Sequence, residues 1–151
     1  MPPINETEIC AYVAGLIDGE GYFAVIRNKS EWLKTHTKRG YCDNISLTIC
    51  NMNKELLVSV QHILKRGDIV THRRPNTPPS FTLRFYPNAL RVILPKIIPY
   101  LLLKKRQAQL MLSLLNIRQK HMKKKLKDEE FHNMLEKFRA EFERSHIHES
   151  S

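Results

Sequence analysis

The sequence predicts an α+β domain in which helices and antiparallel strands follow one another in the order αββαββα, with further helices at the C-terminus. Short runs with a two-residue alternation of apolar and polar side chains indicate strands, and longer runs with a period of about 3.6 residues indicate helices. Glycine, proline or asparagine separates most of these runs. The 151 residues are enough for one domain with its own core, so residues 1–151 are expected to form a single domain.

The first half of the chain predicts two helices separated by a pair of strands. Residues 7–18 form the first helix, with Asn5 or Thr7 as its N-cap, and Gly19 and Gly21 end it. Residues 22–29 are rich in aromatic and β-branched types and predict a strand. Residues 30–40 predict a long loop or hairpin tip after this strand. Residues 43–50 alternate and predict the second strand. Asn53 then caps a helix that runs to about residue 65.

The second half of the chain predicts another strand pair and the remaining helices. The strands cover residues 68–74 and 80–86, and a helix over 88–98 is interrupted by Pro95 and Pro99. Residues 100–117 and 128–144 predict two amphipathic helices. The core of the domain is therefore expected over about 5–117, with a C-terminal helical extension over about 118–151.

The composition favours an intracellular protein that binds a polyanion. The chain carries 25 Lys and Arg against 15 Asp and Glu, a net charge of +10. Nucleic acid is the first partner that such a charge suggests, an anionic membrane is the second, and a merely basic protein is the alternative. No apolar run approaches the roughly 20 residues of a membrane span, and the N-terminus lacks a signal-peptide layout. Three cysteines without metal spacing indicate a reducing compartment, with nucleus, organelle and prokaryotic cytoplasm all open.

One face of the predicted strands carries hydrogen-bonding side chains and cations with almost no carboxylates. A face in contact with solvent is one interpretation, because an antiparallel sheet can leave one side in water. The other interpretation is a ribbon in the major groove of DNA, where Arg, Asn, Ser and Thr reach base edges and cations meet phosphates. The residues expected to contact DNA are Arg27, Asn28, Lys29, Ser30, Lys34, Lys38, Arg39, Asn44, Ser46, Thr48, Thr71, Arg73, Arg74, Ser80, Thr82 and Arg84.

The first helix has small residues on one side and ends in two acids bracketed by glycines. On a helical wheel the small side consists of Ala11, Ala14, Gly15 and Asp18. A second helix could approach this side closely, which would offset the roughly 1 kcal/mol that a glycine inside a helix costs relative to alanine. An ordinary helix that happens to contain small residues is the alternative interpretation.

The stretch from Val13 to Gly21, VAGLIDGEG, resembles the signature of the LAGLIDADG homing endonucleases, of which the GEG ending is a variant. Residues 49–53, ICNMN, and residues 98–108, IPYLLLKKRQA, are similar to two further segments of that family. The resemblance implies an αββαββα core whose antiparallel strands form a DNA-binding saddle. The signature occurs once in the 151 residues, and family members with one copy are homodimers.

The resemblance also implies a function for individual residues. Two signature helices, one per subunit, would pack through Ala11, Ala14, Gly15 and Asp18 at the dimer axis. Glu20 would bind a divalent metal with the carbonyl oxygen of Gly19 as a second ligand. Asp18 would accept hydrogen bonds or pack near the axis, with direct metal binding as the alternative. Lys104, or its neighbour Lys105, would be the basic residue of the active site.

The expected protein is thus a homodimeric, site-specific endonuclease that needs Mg²⁺, with Mn²⁺ able to substitute. It would bind a long pseudo-palindromic double-stranded DNA and hydrolyse one phosphodiester on each strand, without a membrane partner. A domain of the same fold that binds DNA or intron RNA without cutting, as a maturase or regulator, is the second hypothesis. A generic RNA-binding protein is the third, and the single tryptophan offers little surface for base stacking.

Overall fold

The computed structural model describes residues 5–37, 40–123 and 126–150 of the chain. The N-terminal part contains α1 (Glu6–Glu20), β1 (Gly21–Asn28), α2 (Glu31–His36), β2 (Cys42–Asn51) and α3 (Lys54–Leu64). The C-terminal part contains β3 (Asp68–His72), β4 (Ser80–Phe85), α4 (Pro87–Ile97), a 3₁₀ turn (Ile98–Tyr100), α5 (Lys105–Met122) and α6 (Asp128–Ser150). The α+β class and the αββαββα order are confirmed, with α2 added inside the first strand pair.

The strands form one antiparallel sheet with the order β1-β2-β4-β3. In the β1–β2 pair, Gly21 lies opposite Ile49 at one end and Asn28 lies opposite Cys42 at the other. The end with Gly21 therefore adjoins the C-terminus of α1, and the opposite end carries the connection that contains α2.

The alternation predicted for β2 and β4 matches the burial of their side chains. Ile45, Leu47 and Ile49 are buried on one face of β2, and Leu83 and Phe85 continue that face in β4. Helices α1, α3 and α4 contact this face of the sheet. The opposite face is left open by these helices and carries most of the polar strand residues.

Local chemistry explains several element boundaries. Asn5 caps α1 by accepting the N–H of Glu8, and the Glu8 carboxylate accepts the N–H of Asn5, a reciprocal capping box. Gly67, just before β3, has φ +100°, and a Cβ there would lie 2.8 Å from Leu83 and 2.9 Å from Phe85. Only glycine therefore fits that turn.

Three boundaries differ from those predicted. Residues 30–40 are not only a loop, because Glu31–His36 form α2 with Ser30 as N-cap. The helix predicted from residue 100 begins at Lys105, because Ile98–Tyr100 form a 3₁₀ turn and residues 101–104 are not helical. Pro95 does not interrupt α4, which runs to Ile97. Pro95 lies in the last turn of α4, where its missing N–H removes one backbone hydrogen bond, and the helix continues past it to Ile97.

The C-terminal helices belong to the same core as the rest of the domain. Helix α5 crosses the predicted boundary between residues 117 and 118, and α6 packs against α5. Phe131, Leu135 and Phe142 of α6 are buried in the main hydrophobic cluster. No helix of the described ranges is long and apolar enough to cross a membrane.

Candidate active site and nucleic-acid interface

Glu20 ends α1 at the edge of the open face of the sheet, beside the end of β2. The register that places Gly21 opposite Ile49 brings Glu20 close to Asn51, the last residue of β2. Asn51 donates from Nδ2 to Glu20 Oε2 at 2.7 Å, and Asn51 Oδ1 accepts the backbone N–H of Asn53 at 2.7 Å. The second bond fixes the amide orientation, so Asn51 can only present its NH₂ group to Glu20. Asn51 thus holds the carboxylate in one position and leaves Oε1 for a ligand.

The C-terminus of α1 also offers backbone carbonyl oxygens. The last carbonyl groups of a helix have no partner within the helix, and that of Gly19 is one of them. Carboxylate and carbonyl oxygens are the ligands that Mg²⁺ and Ca²⁺ prefer. In the described part of the chain, no three His, Cys, Asp or Glu side chains come together to hold a metal. The oxygen atoms at this helix end are therefore of the kind that a hard cation prefers.

Lys104 is buried directly behind the end of α1. Its ammonium group donates to the carbonyl oxygen of Gly21 at 2.6 Å and to that of Ile17 at 3.2 Å. These bonds join the last turn of α1 to the first residue of β1. They also place a positive charge at the helix C-terminus, where the helix dipole favours it. Of the two lysines considered from the sequence, Lys104 is the one whose ammonium reaches this helix end.

Asp18 ties the segment before α5 to the same helix end. Its Oδ2 accepts the N–H of Leu102 at 2.8 Å and its Oδ1 accepts the N–H of Lys104 at 2.9 Å. Asp18 is therefore a hydrogen-bond acceptor within its own chain, as expected from the sequence. Through these bonds it positions Lys104 against α1.

The exposed side of α1 differs from the small-residue side drawn on the helical wheel. Ala14 is completely buried in the core of its own subunit, because it faces the sheet together with Val13 and Ile17. The predicted interface role of Ala14 is therefore wrong. The side that faces solvent carries Ala11, Tyr12, Gly15 and Gly19.

The exposed side of α1 adjoins two leucines in the segment before α5. Leu102 is 92% exposed and Leu103 is 60% exposed, although both are large apolar residues. A Cβ added at Gly15 or Gly19 would meet no atom of the described chain within 4 Å. Packing within the described part of the chain therefore does not explain either glycine.

The open face of the sheet forms a groove of about 520 Å³. Asn44, Ser46, Thr48 and Arg84 line it, as the alternation of β2 and β4 predicted. Other residues of the groove were not singled out from the sequence, namely Tyr22, Ile26, Tyr86 and Arg118. The two-residue period of β1 could have identified Tyr22 and Ile26, since both alternate with buried Phe23. The position of Arg118 depends on the packing of α5, which no local pattern shows.

Arg27 is on the opposite side of the sheet from the groove, so its assignment to DNA contact is corrected. It donates to Asp43 at 2.9 Å and to Glu136 of α6 at 2.5 Å, and its guanidinium lies 3.8 Å from the centre of the Tyr41 ring. The hydrogen bond to Asp43 raises the pKa of Arg27 above its ordinary value, and burial opposes that rise. Arg27 therefore fastens α6 to the sheet.

Two threonines predicted to contact DNA also have other surroundings. Thr82 is only 4% exposed, and its hydroxyl contacts His72 Nε2 at 3.0 Å and Cys50 Sγ at 3.3 Å. Thr71 lies opposite Phe81 in the register and so belongs to the helix-facing side of the edge strand. On the groove side of these strands, the exposed side chains are those of His72 and Cys50, in place of the predicted DNA contacts Thr71 and Thr82.

The remaining candidates occupy the ends of the strands. Asn28, Lys29, Arg73 and Arg74 are exposed there, and Ser80 is half-buried at the start of β4. Ser30 accepts the N–H of Leu33 as the N-cap of α2, and Lys34 pairs with Glu31 at 2.9 Å. Lys38 and Arg39 lie outside the described residues.

Comparison with known proteins identifies one family model that matches the chain. The model is described as LAGLIDADG endonuclease, and it matches residues 13–115. This range runs from the second half of α1 to the middle of α5 and includes the four strands. A comparison with curated protein sequences finds no significant match.

Solved structures with the same fold include several homing endonucleases. The homing endonuclease I-CvuI, in complex with its target in the presence of 2 mM Ca, is 25% identical with a TM-score of 0.61, over 74% of this chain and 68% of that chain. The archaeal intron-encoded I-Vdi141I, complexed with DNA, is 20% identical with a TM-score of 0.75, over 93% and 86% of the two chains. The meganuclease I-CpaMI, bound to uncleaved DNA, is 21% identical with a TM-score of 0.63, over 80% of this chain but 38% of that chain.

Proposed function

Because this chain belongs to the LAGLIDADG endonuclease family, and is thereby a metal-dependent DNA endonuclease, we propose that it cuts one specific site as a homodimer. The observation that carries this proposal is the position of Glu20. Its carboxylate is held by Asn51 at the end of α1, where the helix meets the polar face of the sheet. A duplex bound along that face would bring its phosphates to the oxygen ligands.

The residues around Glu20 fit a divalent cation, and Mg²⁺ is the proposed cofactor, with Mn²⁺ able to substitute. Mg²⁺ keeps several waters and is commonly bound by one or two carboxylates together with substrate phosphates, which suits the incomplete oxygen set of one subunit. The bound metal would activate a water and neutralise charge on the phosphate. Glu20 and the carbonyl of Gly19 would hold the metal, and Asn51 would orient the carboxylate.

Lys104 is proposed to act on the reaction by holding the active-site end of α1. Its two bonds to backbone carbonyls, together with those of Asp18, fix the direction in which Gly19 and Glu20 leave the helix. A carboxylate displaced by about 1 Å can reduce a rate by about a hundredfold, so such support is functionally large.

A homodimer is supported by three features of the chain. Among the described residues, no three metal-ligating side chains come together, and a Cβ at Gly15 or Gly19 would contact no atom within 4 Å. Gly15, in the interior of α1, costs about 1 kcal/mol relative to alanine, which close packing with a second α1 would offset. Leu102 and Leu103, exposed beside that helix, would be covered at the same interface.

The dimer implies a two-fold related pair of sites and hence a pseudo-palindromic target. An isologous interface places the same helix against itself, so each subunit would provide one Glu20 and one sheet for half of the target. One phosphodiester on each strand would then be hydrolysed. We also propose that the protein works in a reducing compartment, since Cys10, Cys42 and Cys50 are all free thiols.

Cleavage of DNA by the wild-type protein and by Glu20→Gln tests the proposal. The substrate is a supercoiled plasmid that carries a site selected from a randomised library. In Mg²⁺ the wild-type protein should linearise the plasmid, whereas Glu20→Gln should bind the site without cutting it, because the amide keeps the size but loses the anionic ligand. Near wild-type cutting by Glu20→Gln would contradict the metal assignment, and binding without any metal-dependent cutting by the wild-type protein would favour a pure binding domain.

A further inference from the structure

The connection between β3 and β4 is an exposed turn with three prolines. It has the sequence RRPNTPP over residues 73–79, and almost all of it is exposed. The N–H of Thr77 bonds to the carbonyl oxygen of Arg74 at 3.4 Å, with Pro75 and Asn76 between them. Asn76 has φ +61°, and a proline followed by a residue of positive φ is typical of a type II turn. Pro75 and Asn76 therefore account for the turn.

The turn does not depend on the hydroxyl group of Thr77. This hydroxyl donates at 3.2 Å to the carbonyl oxygen of Arg74, which already accepts the N–H of Thr77. Thr77 is exposed, and Pro78 disfavours a helical backbone at the residue before it. The hydroxyl is thus free to react without loss of the turn.

The residues around Thr77 are those that a proline-directed protein kinase selects. Such kinases phosphorylate a serine or threonine that directly precedes a proline, in an exposed and extended segment. Thr77 is the only serine or threonine of the chain with this neighbour. Mitogen-activated kinases also favour a proline two residues before the acceptor, and Pro75 occupies that position.

The turn lies at the end of the sheet that carries Glu20. Asn51, which bonds to Glu20, lies opposite Phe81 in the register of β2 and β4, and the turn ends where β4 begins. Strand β2 separates β4 from β1, so the turn and Glu20 are about two strand spacings, or about 10 Å, apart across the sheet. A duplex along the open face would therefore pass the turn close to the cutting site.

Two arginines give the turn its charge. Arg73 and Arg74 begin the segment and are both exposed. In the proposed complex they would meet DNA phosphates. The slope of log K against log salt concentration is about 0.9 per phosphate contact, so each contact contributes about eightfold in affinity at about 0.1 M salt. The two arginines together would contribute about 60-fold.

We propose that Thr77 is a phosphorylation site that weakens DNA binding. This inference rests on the proposed function and adds regulation to it. The Oγ of Thr77 attacks the γ-phosphorus of ATP on the kinase, and the bond from that phosphorus to the oxygen that bridges to the β-phosphate breaks. ADP leaves, and the hydroxyl proton passes to a base of the kinase. The new phosphate carries about 1.5–2 negative charges beside Arg73 and Arg74, so it pairs with both arginines and repels the DNA backbone.

Phosphorylation of the purified protein tests the site. The wild-type protein and Thr77→Val are incubated with a mitogen-activated protein kinase and ATP, and mass spectrometry locates the phosphate. We expect one phosphate per chain on Thr77, and none on Thr77→Val.

DNA binding by the phosphorylated protein tests the effect. The dissociation constant for the selected duplex is measured in Ca²⁺ from the anisotropy of a dye on the DNA. Phosphorylation should raise it by about 10- to 60-fold at about 0.1 M salt. The slope of log K against log salt concentration should fall by about two units, which a merely structural change would not produce.

Three variants isolate the charge. Thr77→Glu and Thr77→Gln have the same size and differ in one negative charge. Thr77→Glu should weaken binding by about eightfold, and Thr77→Gln should bind like the wild-type protein. Ser59→Glu adds the same charge at an exposed position of α3, away from the open face, and should also bind like the wild-type protein. Circular dichroism verifies that all three fold.

The outcomes separate the regulation from the function. A phosphate found elsewhere, or none at all, would overturn the site. Unchanged affinity of the phosphorylated protein, or equal losses in Thr77→Glu and Thr77→Gln, would overturn the electrostatic effect and leave the endonuclease proposal standing. Failure of the unmodified wild-type protein to bind any duplex would refute the proposed function, and the regulation with it.

Discussion

The substitution Gly15→Leu separates the fold of the subunit from its assembly. In the chain by itself, a Cβ at position 15 would contact no described atom within 4 Å, and Gly15 is exposed, so we expect a leucine to fit there without a clash. Leucine is a better helix former than glycine by up to about 1 kcal/mol. The isolated subunit should therefore be at least as stable as before, which is unusual for a glycine substitution with a functional effect.

The affinity of the proposed dimer should respond in the opposite direction. Overpacking a tight interface costs about 1–3 kcal/mol per inserted side chain, and a two-fold interface receives the side chain twice. The expected loss is about 2–6 kcal/mol, which corresponds to a dimer dissociation constant raised by about 30-fold to 20,000-fold. Double-strand cleavage should fall with it.

Sedimentation of the free protein over a range of concentrations measures this effect, with urea unfolding as the measure of subunit stability. Gln109→Leu, on the exposed side of α5, is the matched control that adds a leucine elsewhere. A Gly15→Leu protein that dimerises like the wild type would refute the close helix contact. A variant that is monomeric because it has unfolded would refute the account of Gly15 as free of contacts within the subunit.

Three further predictions concern the metal, the groove and the core. Replacing Mg²⁺ by Ca²⁺ should preserve DNA binding and stop cleavage, because Ca²⁺ accepts looser coordination. A cleavage rate in Ca²⁺ near that in Mg²⁺ would contradict this prediction. Arg84→Ala should lose about 1–3 kcal/mol of discrimination at one base pair. Lys29→Ala should instead weaken the binding of all DNA sequences alike and lower the slope of log K against log salt concentration by about one unit. Binding selections in which both variants lose affinity uniformly across sequences would refute base reading by Arg84. Arg27→Ala should lower the free energy of unfolding by about 3–5 kcal/mol, because it leaves buried Asp43 unpaired. Lys34→Ala breaks an exposed ion pair and is the control, which should change the free energy of unfolding by less than about 0.5 kcal/mol. Urea titrations measure both.

The fold could be predicted from the sequence because its determinants are local. The alternation of Ile45, Leu47 and Ile49 depends only on neighbouring residues, and so does the cap at Asn53. The structure confirms the strand and the helix that these two features predict. Helix α2 escaped prediction because it depends on Ser30 and Thr37 at its ends and has no apolar stripe.

The surroundings of individual side chains could not be predicted in the same way. Arg27 has the sequence neighbourhood of a DNA-binding residue, yet Asp43 and Glu136, 16 and 109 positions away, determine its orientation. The bond between Asn51 and Glu20 likewise depends on the register of β1 and β2, which the sequence does not specify. Ala14 was misplaced because a helical wheel of small and apolar residues does not reveal which side the sheet covers.

The stoichiometry of the complex that cuts DNA tests the central claim most directly. Sedimentation of the protein on the selected duplex in Ca²⁺ gives the number of chains per site, and addition of Mg²⁺ to the same complex, with excess competitor DNA, gives the cleavage product of a single encounter. The account predicts two chains per duplex and cleavage of both strands. One chain per duplex that nevertheless cuts both strands in one encounter would contradict the homodimer and the role assigned to the exposed side of α1.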